Sequence, residues 1–360
     1  MGLDSLSMTR ESGSLSAASR VGAAVDRLAV HAAAQLFTFR RPPERYADDT
    51  ASRAAFTRYS DAALRADPAR FFLPPPAPTH VTEAGRGRKV TLRFASDYRA
   101  SHADAEERHD RFVENRTVHV TVLRHERPAP AVIALHPWCG GAPSLDGWLL
   151  GAEHLHRQGL DVYLMSLPFH GPRTPSGSFS GQQFPSPNIE RTNESFAQAV
   201  WDARRVRLLA LAHGSPSVGV MGMSLGACVA SLVAVCERDL SFCVPLTPLV
   251  SVADVLWSAG EGRSERRAVE KRGVTRDVLE RAFAVVAPLS YPLAIARERV
   301  LIVAARGDRI TPPRHVELLW EHWQRPPIHW FEGGHLLHVG RGGALREMTR
   351  FIAAHASSVQ

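Results

Sequence analysis

Residues 217–235 read SVGVMGMSLGACVASLVAV, a strand-like run that passes directly into a helix-like one. Its first five residues are apolar or small, the pattern of a strand buried on both faces. Residues 227–235 continue as an apolar run of helical length. Between the two stands Gly222-Met223-Ser224-Leu225-Gly226, a G-x-S-x-G pentapeptide. A strand that turns directly into a helix leaves no room for a side chain at the flanking positions, and it thrusts the central serine forward on a strained backbone. The helix start beneath that serine favours developing negative charge. The pentapeptide alone arises by chance; its place between a strand and a helix marks Ser224 as a candidate nucleophile.

Working outward, short apolar runs recur at 131–135 (AVIAL), 161–165 (DVYLM), 242–246 (FCVPL) and 300–304 (VLIVA). Helix-length segments separate them, which is the signature of a parallel sheet covered on both faces. The alternating segments 89–94 (KVTLRF) and 117–123 (TVHVTVL) predict half-exposed antiparallel strands at a sheet edge. In such sheets the chemistry lies at the carboxyl ends of the strands, so the residues just after each run are the candidates.

A serine hydroxyl needs a base, and the base needs an acid to fix its tautomer. His335 follows the apolar segment 328–331 in FEGGH, where paired glycines let a loop bring the imidazole back over Ser224. His338 is its competitor. Asp308, in GDRITPP after 300–304, is the candidate acid; its alternative role is to cap a helix starting near Pro313, and Asp254 is the reserve acid. The backbone N–H of Leu225 is one expected oxyanion donor. The second is expected from the loop HPWCGG at 136–141, with the N–H of Trp138 ahead of that of Cys139; packing of Trp138 over the sheet is the alternative.

The loop after 161–165 (SLPFHGPR, 166–173) belongs to the same face and runs on through Gly, Ser and Pro to about 187. His136, His170 and Trp257 are the candidate substrate contacts. For His170, holding its own loop by a hydrogen bond to backbone is the competing reading. Between 248 and 299 the chain is longer than one crossover requires, and 254–259 and 275–287 have helical spacing, which predicts a small helical lid over about 250–299. Upstream, 21–39 and 51–69 predict helices that end in a proline run at 74–78. The expected division is an N-terminal helical extension with its connector over 1–80 and a catalytic region over 81–360.

Composition narrows the function classes. The 360 residues are 44% hydrophobic and 22% charged, ordinary for a globular enzyme. The formal charge is +7, but the cations are interleaved with acids rather than blocked into a patch, which argues against nucleic acid as a partner. Cys139, Cys228, Cys236 and Cys243 lie among apolar neighbours without CxxC pairing, so no metal ligand set or disulfide framework is indicated and no cofactor is expected. No stretch approaches the length of a membrane span, and a soluble, cytoplasmic protein is expected.

From about residue 89 to the C-terminus, with the chain order Ser, Asp, His, the sequence resembles the α/β-hydrolase superfamily of serine hydrolases and esterases. The segments LHPWCGG, LPFHGPR, GMSLG, VPLTPLVSVADVLW and FEGGH are further similar to the group typified by alpha/beta hydrolase domain-containing protein 18, which implies lipid or ester hydrolysis. Ala227 and Pro137 depart from relatives that carry glycine there. The resemblance implies a mostly parallel central sheet flanked by helices. It also implies cleavage of a carboxylic ester, a small molecule or an acyl lipid, through a Ser224–His335–Asp308 triad and an acyl-enzyme. An acyltransferase with the same triad and a non-catalytic binding protein on this fold are the alternatives.

Overall fold

The computed structural model describes residues 15–39, 49–186, 188–260, 266–267, 270–271, 273–339 and 341–356, without the side chains of 31–39 and 49–53. Parts of the expected extension (1–14, 40–48), of the expected lid (261–265, 268–269, 272) and Pro187 of the pocket loop lie outside the described residues. Strands β1 (Thr82–Arg86), β2 (Lys89–Ala95), β3 (Thr117–Leu123), β4 (Ala131–Leu135), β5 (Asp161–Met165), β6 (Val218–Met223), β7 (Cys243–Leu246), β8 (Ile302–Ala305) and β9 (Ile328–Phe331) form one sheet. Its order is β1-β2-β3-β5-β4-β6-β7-β8-β9. The pairings β1–β2, β2–β3 and β3–β5 are antiparallel, and every pairing from β5 to β9 is parallel.

The helices are α1 (Ala17–Phe39), α2 (Asp49–Tyr59), α3 (Ala62–Arg65), α4 (Ala103–Asp110), α5 (Pro143–Leu150), α6 (Ala152–Arg157), α7 (Ile189–Ala212), α8 (Leu225–Cys236), α9 (Val252–Ala259), α10 (Arg276–Phe283), α11 (Pro313–His322) and α12 (Arg341–Ala356). They cover both faces of the sheet because its strands are apolar on both. Along β4, Ala131, Ile133 and Leu135 enter one core with Val200 of α7 and Val229 of α8. Val132 and Ala134 enter the other, with Leu155 of α6 and Ile352 of α12. This two-sided burial is what the unbroken apolar runs encode.

Three local features differ from expectation. β1, with the sequence TEAGR, has no apolar alternation and is exposed throughout; the turn at Gly87 (φ 70°) pairs it with β2 through the backbone ladder, and the Thr82 hydroxyl adds a bond to the Arg93 carbonyl (3.3 Å). With β1 outside them, β2 and β3 are interior strands, and β3 is mostly buried. The expected helix over 51–69 is divided: α2 ends at Tyr59, and Asp61 caps α3 by accepting the N–H of Ala63. In the expected lid region, α9 and α10 pack on each other, and α10 also reaches α2.

Candidate active site

β6, β7, β8 and β9 lie side by side and parallel, so the segments that follow them emerge along one edge of the sheet. Ser224 occupies the turn between β6 and α8 with φ 55° and ψ −111°. A non-glycine residue held there stores about 1–3 kcal/mol of backbone strain, so the surrounding contacts must impose it. They do. The Ser224 N–H donates to the Leu246 carbonyl (2.9 Å), and its carbonyl accepts from Cys228 (3.1 Å) and Leu249 (3.2 Å). A Cβ on Gly222 would lie 2.2 Å from the Gly226 carbonyl oxygen, and one on Gly226 would lie 2.2 Å from that of Leu135. Only glycine fits at either flank.

Asp308 and His335 leave the ends of β8 and β9, and the Gly307 N–H donates to the Gly333 carbonyl to tie the two loops (2.8 Å). His335 Nδ1 meets Asp308 Oδ2 at 2.7 Å, with both side chains buried. Asp308 Oδ1 accepts the N–H groups of Ile310 (2.9 Å) and Thr311 (2.8 Å), which fixes the carboxylate plane. The Thr311 hydroxyl approaches Asp308 Oδ2 (2.9 Å), His335 Nδ1 (3.1 Å) and the Thr247 carbonyl (3.2 Å). Thr247 directly follows Leu246, the residue that accepts the Ser224 N–H, so the acid–base pair is braced against the backbone that holds the serine. Burial disfavours the charged imidazole of His335, but the Asp308 carboxylate, with a further contribution from that of Asp26, outweighs it and raises the pKa above the usual histidine value. Nδ1–H donates to Asp308 in this arrangement, leaving Nε2 to accept a proton.

The alternatives for each position separate on geometry. His338 does not touch Asp308; its Nε2–H donates to the His335 carbonyl (2.8 Å), and its ring packs on Phe331. Asp254 accepts from His315 Nε2 (2.6 Å), Arg276 (2.9 Å) and Arg314, a cluster apart from His335. Asp308 does not cap the helix that follows, because α11 begins after Pro312 without a side-chain cap.

Leu225 is the first residue of α8, where an N–H has no intrahelical acceptor. Loop 136–141 crosses over this helix start, in contact through the Leu135 and His136 carbonyls against Gly226. The Trp138 indole donates to the Gly181 carbonyl (2.8 Å), which fixes the side chain against the loop after β5, while Cys139 sits exposed at φ 63°.

The two histidines expected at the substrate are structural. His136 is buried, its Nδ1–H donates to the Pro137 carbonyl (2.8 Å), and its Nε2 accepts from Leu167 N–H (3.0 Å), so neither ring nitrogen remains for a substrate. His170 is fully buried; its Nδ1 holds the Pro168 carbonyl (2.8 Å), and its Nε2 faces Gly181, where a Cβ would come within 2.6 Å. Burial disfavours the charged form of both and lowers their pKa. Together with Arg173, which is buried and donates to Asp202 (2.9 Å) and to the Asn115 carbonyl (2.8 Å), they lock the loops after β4 and β5 in place. Trp257, on α9, is half-buried under the Arg266 guanidinium, 4.1 Å from the ring centre.

Two participants escaped the sequence reading. Thr311 is one; the other is Asp26 of α1, a buried carboxylate that accepts the N–H groups of Arg309 (3.0 Å), His335 (2.7 Å) and Leu336 (3.1 Å). At the opposite end of the sheet, His125, His156 and Asp161 come together, but the two rings stack face to face at 4.0 Å. Their Nδ1 atoms are engaged by Asp161 and the Leu160 carbonyl. Among the described residues, no helix is long and apolar enough to cross a membrane.

No protein-family profile matches the chain. Among solved structures, an acetyl xylan esterase from Paenibacillus sp. R4 superposes with a TM-score of 0.55 at 13% identity, covering 89% of this chain and 99% of that one. That likeness, with the mostly parallel sheet flanked by helices, makes the fold that of the α/β-hydrolases. In sequence, the uncharacterized proteins MT2702 and Rv2627c of Mycobacterium tuberculosis are each 31% identical over 304 residues, covering 81% of this chain and 71% of theirs. The chain belongs to the same family as these two mycobacterial proteins.

Proposed function

We propose that this protein is a serine hydrolase that cleaves a carboxylic ester through an acyl-enzyme on Ser224. The observation that carries the reading is the strained Ser224 elbow on the same sheet edge as a buried His335–Asp308 pair joined at 2.7 Å. Ser224 Oγ attacks the ester carbonyl carbon while His335 Nε2 takes its proton. Asp308 stabilises the imidazolium, and the N–H groups of Leu225 and Trp138 receive the oxyanion. The tetrahedral intermediate collapses, the alcohol leaves with the proton from His335, and a water activated by the same histidine releases the acid. Protein groups and water complete the cycle.

The esterase named among the solved structures supports an ester as the bond cleaved. The narrower similarity to the alpha/beta hydrolase domain-containing protein 18 group supports a lipid-like acyl substrate. Trp257, on the α9 segment that follows β7, is assigned to the wall of the substrate site. Four unpaired cysteines fit a reducing compartment, and the cytoplasm is the proposed location. The test is a rapid-mixing assay with p-nitrophenyl esters of increasing chain length, followed by mass analysis of the quenched protein. A burst of nitrophenol with one acyl group on Ser224 supports the reading. Steady release without an acylated Ser224 overturns it. Repeating the assay with added alcohol measures any transfer of the acyl group in place of hydrolysis.

A further inference from the structure

α1 ends 50 residues ahead of β2 in the sequence, within the expected extension, yet one of its faces is pressed into the loops that carry the acid and the base. The stripe Ser16, Ser19, Gly22 and Asp26 has the spacing of a single helix face. Both serine hydroxyls donate to Glu332, Ser19 at 2.5 Å, and Ser19 Oγ also accepts the Gly333 N–H (3.3 Å). At Gly22 the helix backbone touches the loop backbone: a Cβ there would lie 2.1 Å from the Gly334 nitrogen, and a Cβ on Gly307 would lie 2.3 Å from the Ser19 carbonyl oxygen. The contact needs glycine on both sides of the junction.

Asp26 ends this stripe. Its side chain is fully buried, and its described partners are the three neutral N–H groups of Arg309, His335 and Leu336. A buried carboxylate is costly, and three peptide N–H donors, which a neutral amide could not all satisfy, offset part of that cost. Beside it lies a group that gains from the charge: His335 becomes an imidazolium in the proposed reaction. One oxygen of Asp26 bridges the residue after Asp308 and the base itself, so a single carboxylate sets the spacing of both loops. The same charge adds to that of Asp308 in favouring protonated His335.

We propose that Asp26 is a positioning residue for the base: it holds the Asp308 and His335 loops in register through their backbone and supplies a second negative charge to the imidazolium. The inference rests on the serine-hydrolase reading, and its test reports on His335 whether or not the protein turns over an ester. In full-length protein with labelled histidine, NMR titration follows the His335 imidazole in wild type, Asp26→Asn and Asp26→Ala, and a fluorophosphonate probe measures the pH dependence of Ser224 labelling. Asp26→Asn retains oxygen acceptance toward Arg309 and His335 and is the variant best able to stay folded. The expected result is a lower His335 pKa in both variants and an acidic limb of labelling moved to lower pH by the same amount. The maximal labelling rate is expected to fall about 10²-fold in Asp26→Ala and less in Asp26→Asn. A merely structural staple would lower the melting temperature and leave the His335 titration and the labelling profile unchanged; that result in a folded Asp26→Asn overturns the proposal. Unlabelled wild type with a lowered His335 pKa in Asp26→Asn would remove the hydrolase reading and leave the positioning of His335 standing.

Discussion

Asp308 and His335, 27 residues apart in sequence, meet at 2.7 Å at the ends of neighbouring parallel strands, and the Thr311 hydroxyl touches both. The contact depends on β8 and β9 being adjacent and in register, Ala305 opposite Phe331.

Removing the charge of Asp308 while keeping its shape isolates its role. Asp308→Asn is expected to cost about 1–3 kcal/mol of stability and to lower kcat on the order of 10⁴-fold, because the amide stabilises the wrong imidazole tautomer. Steady-state kinetics with a nitrophenyl ester checks this; a loss below tenfold would move the acid elsewhere.

The pH profile follows from the raised pKa of His335. The base works deprotonated, so kcat/KM is expected to rise with a midpoint above the ordinary histidine value of about 6.5. Stability moves the other way. A pKa raised on folding contributes stability that is full below the unfolded value and fades as the pH rises through the folded value. Melting curves across that range are therefore expected to show His335→Gln losing most, relative to wild type, on the acidic side.

His335 and His338 are separated by a pair of variants. His338→Ala removes a hydrogen bond to the His335 carbonyl, for which about 1 kcal/mol, or several-fold in rate, is expected. His335→Ala removes the base, and an effect of several orders of magnitude is expected. The reverse ranking in the same assay would reassign the base to His338.

Asp254 offers a stability test away from the proposed chemistry. Hydrogen bonds and charge from His315 and Arg314 outweigh its burial and hold its carboxyl well below the usual carboxylate range. A pKa lowered on folding gives stability that is present above the unfolded value of about 4 and is lost as the pH falls toward the folded one. Asp254→Asn is expected to cost about 1–3 kcal/mol at neutral pH, with the gap to wild type closing below about pH 4. Denaturant melts at pH 7 and pH 3 measure both.

How far the sequence reaches depends on what each feature is made of. The parallel strands were legible because burial on both faces writes an apolar run, and the elbow was legible because Gly222 and Gly226 admit no Cβ. β1 was not, since it buries no side chain and so writes no apolar run. His136 and His170 sit at strand ends, where function is expected, and only their burial and backbone partners reveal them as loop anchors. Asp26 left no trace because its partners are peptide N–H groups, which every residue but proline carries. Thr311 is three residues from the acid in sequence, but its contact with His335 exists only once β8 and β9 are side by side.

Labelling by a fluorophosphonate probe, with wild type and Ser224→Ala compared at equal folding, tests whether Ser224 is an activated nucleophile. Stoichiometric labelling of wild type at Ser224 and none of the variant is expected. Equal labelling of both, or no labelling of folded wild type, would contradict that role.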